Sequence, residues 1–216
     1  MPNRSDQPPT TVATYGPEVF QQLVTPDPGV RHGGGEPWDE TTRPSAPAPD
    51  PASRYTAHEV AVGAHLVDVH NHLRGELDQI RTLVTAVLDG SITPGEARAS
   101  IHETSLAQHA WNLGAYCVSY CRVVEQHHTL EDVLVFPHLR AADPALAPVI
   151  DRLEQEHQVI HEVLELMDRE IVRFDLDRSN VAPLAAALDT LTDALASHLS
   201  YEERELVEPL ARHGMR

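Results

Sequence analysis

The segment PVIDRLEQEHQVIHEVLELMDREIVRF, residues 148–174, has the hydrophobic spacing of one long amphipathic helix. Its apolar residues recur at intervals of three and four, which places them on one face of an α-helix. These residues are Ile150, Leu153, Ile160, Leu164, Met167 and Ile171. His157 and His161 interrupt the stripe at positions where a core helix normally has leucine. The segment therefore predicts a helix that carries imidazoles into a protein core.

Three further segments show helical spacing. They begin near residues 57, 95 and 181, and the second of them has Leu134 and Val135 near the end of its apolar stripe. Gly90 follows the first segment as a C-terminal stop signal. No alternating Val, Ile or Thr run and no Asn-Gly hairpin is present in the sequence. The sequence predicts an all-α protein, an antiparallel up-down four-helix bundle.

The first 55 residues have a different composition. They contain 11 of the 17 prolines and 5 of the 11 glycines, with few clustered aliphatic residues. Such a segment buries too little apolar surface to offset its ordering entropy, so we expect residues 1–55 to be a disordered N-terminal tail. A short docking turn around Val19, Phe20, Leu23 and Val24 is the one structured element considered there. Residues 56–216 are expected to form a single domain.

The charge of the chain excludes several partners. Sixteen Lys and Arg against 33 Asp and Glu give a net charge of −17 at pH 7. Such a field repels nucleic acid and anionic lipid, so neither is an expected partner. No apolar run approaches the ~20 residues of a membrane helix, and the N-terminus does not resemble a secretory signal. We therefore expect a cytoplasmic location.

Polar residues interrupt all four apolar stripes at matching depths. They are His70 in the first, His127 and Glu131 in the second, His157 and His161 in the third, and His198 and Glu202 in the fourth. The pairs are spaced i,i+4, so their side chains stack about 5–6 Å apart on one helical face. Buried carboxylates among leucines are costly unless a cation lies between them. The pattern predicts a metal site inside the bundle.

Some assignments stay open at this stage. His72 lies close to His70, and His128 follows His127; helical phase favours His70 and His127. A ferritin-like site would instead use the Glu-x-x-His motifs that begin at Glu125 and Glu154. Both of those glutamates fall off the apolar stripes, and His198 would then be buried without a role. The imidazole-rich site is therefore favoured over the ferritin-like one.

Three motifs in chain order resemble those of a known family. They are H-x-x-x-E in HHTLEDVLVFPHL (127–139), H-x-x-x-H in EHQVIHEVL (156–164) and H-x-x-x-E in SHLSYEERELVEPL (197–210). With the first-helix histidine, they resemble the hemerythrin and HHE cation-binding family over roughly residues 58–213. The actinobacterial-looking version, with WNLGAYC-x-SYCR at residues 111–122, is an especially close match. Older members carry an aspartate at the fifth position after the last histidine, whereas this chain has Glu202 at the fourth and Glu203 at the fifth.

The resemblance implies two iron ions, a di-iron centre with an oxo or hydroxo bridge. It assigns as ligands His70, His127, Glu131, His157, His161, His198 and Glu202. Nitrogen and oxygen donors without thiolate suit iron, manganese or zinc, but seven protein groups are too many for one tetrahedral zinc. We expect His157, His161 and His198 to hold one ion. His70 and His127 are expected to hold the other, which keeps one open position for a small ligand.

The open position allows more than one function. We expect first a protein that binds O2 or another small ligand for sensing or storage, and is not an enzyme. The alternative is a di-iron enzyme that decomposes peroxide or handles nitric oxide at the same position. A further alternative is iron buffering without turnover. No general acid or base beside the predicted ligands is singled out by the sequence, which ranks binding first.

Overall fold

The computed structural model describes residues 13–35, 37–91, 113–177 and 180–214. Its elements are β1 (Thr14–Tyr15), α1 (Glu18–Leu23), β2 (Tyr55–Thr56), α2 (Ala57–Leu88), α3 (Leu113–Leu130), α4 (Phe136–Ala142), α5 (Ala147–Leu176) and α6 (Ala182–His213). A π-helical segment, Glu131–Val135, joins α3 to α4, and single 3-10 turns lie at Glu40–Thr42 and Pro144–Leu146. The expected helix start near residue 95 and the first two residues of the WNLG motif lie outside the described residues.

Local sequence signals set the ends of α2. The Thr56 side chain accepts a hydrogen bond from the Glu59 backbone N–H, and the Glu59 side chain accepts one from the Thr56 backbone, which forms a capping box. After the helix, Gly90 adopts φ +76°, a conformation that strains residues with a side chain. The prediction of a stop at Gly90 is confirmed.

The long helices form a bundle. α2 packs against α3 and α6, and α5 packs against the same two helices, so the four neighbours close a ring. The prediction of an all-α helical bundle is confirmed at this level. Within the described residues, no helix is both long and apolar enough to cross a membrane.

The π-helical segment changes the helical phase between α3 and α4. Buried Glu131 is followed by buried Phe136, a spacing of five that an α-helix does not place on one face. Leu134 is consequently 50% exposed and Val135 only half-buried, although the sequence stripe predicted both in the core. Phe136 and Leu139 take their places.

A polar layer divides the bundle core into two apolar clusters. On α2, Val67 belongs to one cluster and Leu73 to the other, with His70 between them. On α5, Leu153 and Ile160 belong to different clusters, with His157 between them. The same change of cluster occurs along α3–α4 and along α6. The polar layer therefore lies at one level of the bundle, as the sequence pattern predicted.

The N-terminal segment differs from the expected disordered tail. Residues 13–35 and 37–55, called the strap below, begin with β1 paired antiparallel to β2, in the register Thr14↔Thr56. The expected docking turn is present as α1, whose Phe20 packs edge-on against Tyr55 with ring centroids 4.8 Å apart. Residues 1–12 lie outside the described residues. Composition showed that this segment has no core of its own, but not that α6 supplies partners for it.

Those partners are carboxylates of α6, Asp193 and Glu205, which are buried in the folded chain. Asp193 accepts hydrogen bonds from the backbone N–H groups of His32 and Gly33, at 2.7–2.8 Å. Glu205 accepts one from the Ala46 N–H at 2.7 Å. These bonds satisfy backbone donors that an unstructured segment would give to water.

Candidate metal centre

Seven side chains in the polar layer fall into two groups that could each hold a metal ion. His128, His157 and His198 form the three-histidine group, and His70, His127, Glu131 and Glu202 form the mixed group. Within each group the donor atoms lie within 4.8 Å of one another. All seven residues are buried except His127, which is half-buried. They come from α2, α3, α5, α6 and the first residue of the π-helical segment.

The two carboxylates lie between the groups. Glu131 Oε1 is 3.2 Å from His127 Nε2, while its Oε2 is 3.7 Å from His157 Nε2. Glu202 Oε2 is 3.6 Å from His70 Nε2 and 3.5 Å from His198 Nε2. Each carboxylate therefore lies near one histidine of the three-histidine group and one of the mixed group. A carboxylate that bridges two metal ions would need this position.

Three of the imidazoles are oriented from outside by carboxylates. His157 Nδ1 is 2.7 Å from Asp132 Oδ1, His198 Nδ1 is 3.1 Å from Glu156 Oε2, and His70 Nδ1 is 3.0 Å from Glu203 Oε1. A carboxylate oxygen accepts, so each Nδ1–H donates and each Nε2 keeps a lone pair. This arrangement fixes the tautomer and turns the Nε2 atoms into the layer.

The inward-facing atoms lack partners of their own. His157 Nε2 and His198 Nε2 are 3.1 Å apart, and His70 Nε2 and His127 Nε2 are 3.0 Å apart. In the first pair both nitrogens carry lone pairs, so they repel each other unless a proton or a metal ion lies between them. Both oxygens of Glu202 and Oε2 of Glu131 accept no hydrogen bond from a fixed donor of the described residues, so only a proton shared between the two carboxyl groups or a cation can join them. These donors fit a bound cation.

Burial in the layer shifts pKa values so that the neutral form of each side chain is favoured. It lowers the pKa of His127 to about 2 and that of His198 to about 4. It raises the pKa of Glu202 to about 8 and that of Glu131 well above its usual range. At neutral pH without a cation, His127 and His198 are therefore neutral and the carboxyl groups of Glu131 and Glu202 retain protons. A bound cation would displace those protons.

The structure places six of the seven predicted ligands in these groups, and does not bring His161 into either of them. The His161 side chain is 51% exposed, 3.6 Å from Glu165 and 3.9 Å from Glu125. Its neighbour Ile160 is fully buried, so the core face of α5 continues from His157 to residue 160 and not to residue 161. The apolar series 153, 157, 160, 164 carried this signal in the sequence.

His128 belongs to the three-histidine group, although helical phase favoured only its neighbour. Two successive helical residues point about 100° apart. His127 therefore reaches the mixed group while His128 reaches the other. His72 is exposed and belongs to neither group. The ferritin-like alternative gains no support, because the side chains of Glu125 and Glu154 are 58% and 42% exposed and lie outside both groups.

Sequence reasoning missed Asp132 and Glu156 as outer carboxylates, whereas it had named Glu203 only as the residue next to the ligand Glu202. Glu156 is 1% exposed, and its two oxygens accept hydrogen bonds from Arg43 and Arg152 as well as from His198. Burial opposes ionisation of Glu156, but these hydrogen bonds outweigh it and lower its pKa to about 2. Burial raises the pKa of Glu203, against the opposing effect of Thr25 and Arg74. The only sequence signal for Glu156 was its position directly before the predicted ligand His157.

A surface cleft reaches the three-histidine group. Its volume is about 250 Å³, and it is lined by Glu125, His128, Thr129, Asp132, His157, Gln158, His161 and Leu164. Two of these residues, His128 and His157, are members of the group. The cleft offers a small molecule or an ion a path from the surface to the polar layer.

Comparison with known proteins agrees with this geometry. The family model for the hemerythrin HHE cation binding domain matches residues 62–210. This range contains both groups and leaves out the strap. No curated protein and no solved structure matches the chain. The chain belongs to the hemerythrin HHE cation-binding domain family.

Proposed function

We propose that the polar layer holds two iron ions. The ligands of this proposal are His70, His127, His128, Glu131, His157, His198 and Glu202. It replaces His161 of the sequence prediction with His128, because His161 is exposed and lies outside both groups. The two carboxylates would serve both ions. Five imidazole and two carboxylate ligands without thiolate suit iron among the common metals.

The observation that carries the proposal is the convergence of lone-pair atoms in the layer without donor hydrogens between them. The lone pairs of His157 Nε2 and His198 Nε2 face each other at 3.1 Å, and His128 Nε2 and the Glu202 oxygens accept no hydrogen bond from a fixed donor of the described residues. A buried polar network without a cation would have donors and acceptors paired. We also propose the antiparallel up-and-down arrangement of the four helices, because α5 and α6 are joined by a connection of only a few residues.

We further propose that the centre binds O2 or another small ligand, for sensing or storage. If both carboxylates serve both ions, the ion at His70 and His127 would have four protein ligands and the ion of the three-histidine group would have five. Bound iron would supply an open coordination position and an electron to the ligand. The protein would keep bulk water from the centre, because apolar clusters lie on both sides of the layer. The cleft at His128 and His157 supports access for a small molecule.

Metal analysis combined with optical spectroscopy tests the proposal. Samples of the purified protein are loaded separately with iron, manganese or zinc. The sample loaded with iron should retain about two ions per chain. Its visible spectrum should change on addition of O2, azide or nitric oxide. Retention of one ion or none would contradict the dinuclear centre. O2 release from hydrogen peroxide, faster than with free iron, would make the centre an enzyme; two ions with no ligand response would favour iron buffering.

A further inference from the structure

The strap contacts the metal layer through two carboxylates, one for each group of ligands. Glu156 orients His198 of the three-histidine group, and Glu203 orients His70 of the mixed group. Both carboxylates also bind residues of the strap. The strap lies outside the residues that match the family model, which begins at residue 62. These contacts therefore join residues before the matched range to residues within it.

The first contact is a two-point ion pair. Arg43 Nε lies 2.8 Å from Glu156 Oε1, and Arg43 Nη2 lies 2.9 Å from Glu156 Oε2. The Arg43 side chain is 6% exposed, and its guanidinium lies 4.5 Å from the Tyr201 ring centroid and 5.4 Å from that of Trp38. A guanidinium held by two carboxylate oxygens and two aromatic rings has little freedom to rotate.

Arg43 fixes the oxygen that matters for His198. Glu156 Oε2 accepts from both Arg43 Nη2 and His198 Nδ1. Arg152, the other cation on this carboxylate, donates to Oε1 at 2.7 Å. Loss of Arg43 would leave Oε1 held and Oε2 free to rotate away from the imidazole. His198 would then lose the fixed orientation of its Nε2.

The second contact uses a backbone donor. The Thr25 N–H donates to Glu203 Oε2 at 2.7 Å, and the other oxygen, Oε1, accepts from His70 Nδ1 at 3.0 Å. Arg74 of α2 donates to the same Oε1 at 2.6 Å. The strap thus holds the outer oxygen of Glu203 while the bundle holds the inner one. Both oxygens must be held for the carboxylate plane to face His70.

We propose that the strap is a positioning clamp for the metal centre, in which Arg43 acts through Glu156 on His198 and Thr25 acts through Glu203 on His70. The proposal rests on the proposed metal-binding function. Partners of ligand histidines typically change metal affinity about 10–100-fold when they are lost. Arg43 and Thr25 are positioning residues, because neither belongs to a ligand group.

Paired variants of the full chain test the clamp. Arg43→Gln removes the two-point ion pair, and Thr25→Pro removes the N–H that donates to Glu203. Their controls are Asp193→Ala, which removes a strap anchor that touches no imidazole of the two groups, and Thr25→Ser, which keeps the N–H and a hydroxyl. The measurements are the dissociation constant for iron(II) by chelator competition and the melting temperature of the metal-free protein.

The clamp predicts that Arg43→Gln and Thr25→Pro raise the dissociation constant about 10-fold, the lower end of the range for loss of a histidine's own partner, with Arg43→Lys between wild type and Arg43→Gln. Asp193→Ala should lower the melting temperature but keep the affinity close to wild type. Equal losses of affinity in Arg43→Gln and Asp193→Ala, at equal losses of melting temperature, would show that the strap only stabilises the fold. Wild-type affinity in both test variants would also overturn the clamp.

The same measurements separate this inference from the proposed function. A wild-type chain that binds no iron contradicts the metal centre itself. A wild-type chain that binds two iron ions, with both test variants unaffected, contradicts only the clamp. If Arg43→Gln fails to fold, Arg43→Lys and Thr25→Pro decide the outcome at the two carboxylates independently.

Discussion

At the scale of single residues, adjacent histidines in one helix serve different groups. His127 and His128 differ by one position, yet each faces a different part of the polar layer. His157 and His161 differ by four positions, and only His157 reaches it. A spacing of i,i+4 leaves about 40° between two side chains, which is enough to move one of them to the surface.

The first prediction concerns His128 and His161. His128→Ala should remove a ligand of the three-histidine group and lower the metal content toward one ion per chain. His161→Ala should retain both ions, because its side chain is half exposed and belongs to neither group. Metal analysis of both variants, with exposed His72→Ala as the control, gives the comparison. An emptied site in His161→Ala together with a full site in His128→Ala would restore the sequence assignment.

The second prediction concerns Glu202. Burial raises its pKa to about 8, so the metal-free protein at neutral pH holds a neutral group there. Glu202→Gln keeps that neutrality and shape but removes a negatively charged ligand. The melting temperature of the metal-free protein should change little, while metal content should fall. The control is Glu205→Gln, whose side chain binds the strap at Ala46. Two ions in Glu202→Gln would contradict a role as ligand.

At the scale of elements, the π-helical segment sets the phase of the second long helix. Glu131 and Phe136 both face the core at a spacing of five positions, because the segment between them is π-helical. Upstream of the segment the helix presents His127 and His128, and downstream it presents Phe136 and Leu139. In a regular α-helix, either the two histidines or Phe136 and Leu139 would face the core, and the other pair would turn away from it.

The third prediction follows from that phase. Deletion of Leu134, which is 50% exposed, should convert the segment to a regular α-helix. Either the ligands or Phe136 would then leave the core, and loss of a buried Phe alone costs about 3–5 kcal/mol. Both the melting temperature and the metal content should fall. Leu134→Ala is the matched control and should change neither greatly. An unchanged deletion variant would show that the segment is not required.

At the scale of the whole molecule, one polar layer separates two apolar clusters that every long helix helps to form. Its buried oxygens without partners each carry a desolvation cost of about 1–3 kcal/mol. A cation that binds only the folded chain offsets this cost. Metal and fold stability should therefore be coupled across the bundle.

The fourth prediction is the size of that coupling. At a free iron concentration of 100 times the dissociation constant, bound iron should add about 2.7 kcal/mol per site to the free energy of unfolding. Scanning calorimetry with and without chelator measures the shift in melting temperature. His157→Ala, which loses a ligand, should respond less to chelator than the wild type. Equal melting temperatures of loaded and chelated wild type would contradict a metal in the core.

The sequence by itself determined the helical bundle and the polar layer. Both depend on periodicity within single helices, and an imidazole among leucines is visible without knowledge of its neighbours. The level of the layer was also predictable, because His70, His157 and His198 each interrupt an apolar stripe. The inward-facing side chains after Glu131 were less predictable, since the local π-helical segment changes the helical phase there and turns Leu134 toward solvent.

Only the tertiary structure decided the strap and the outer carboxylates. Arg43 and Glu156 are 113 residues apart in the chain, and Thr25 and Glu203 are 178 apart. No periodicity links such positions, and a proline-rich segment gains order only where a folded surface presents acceptors for its N–H groups. The reason is physical: helical patterns arise from local backbone geometry, whereas the partners of the strap exist only after the bundle has folded.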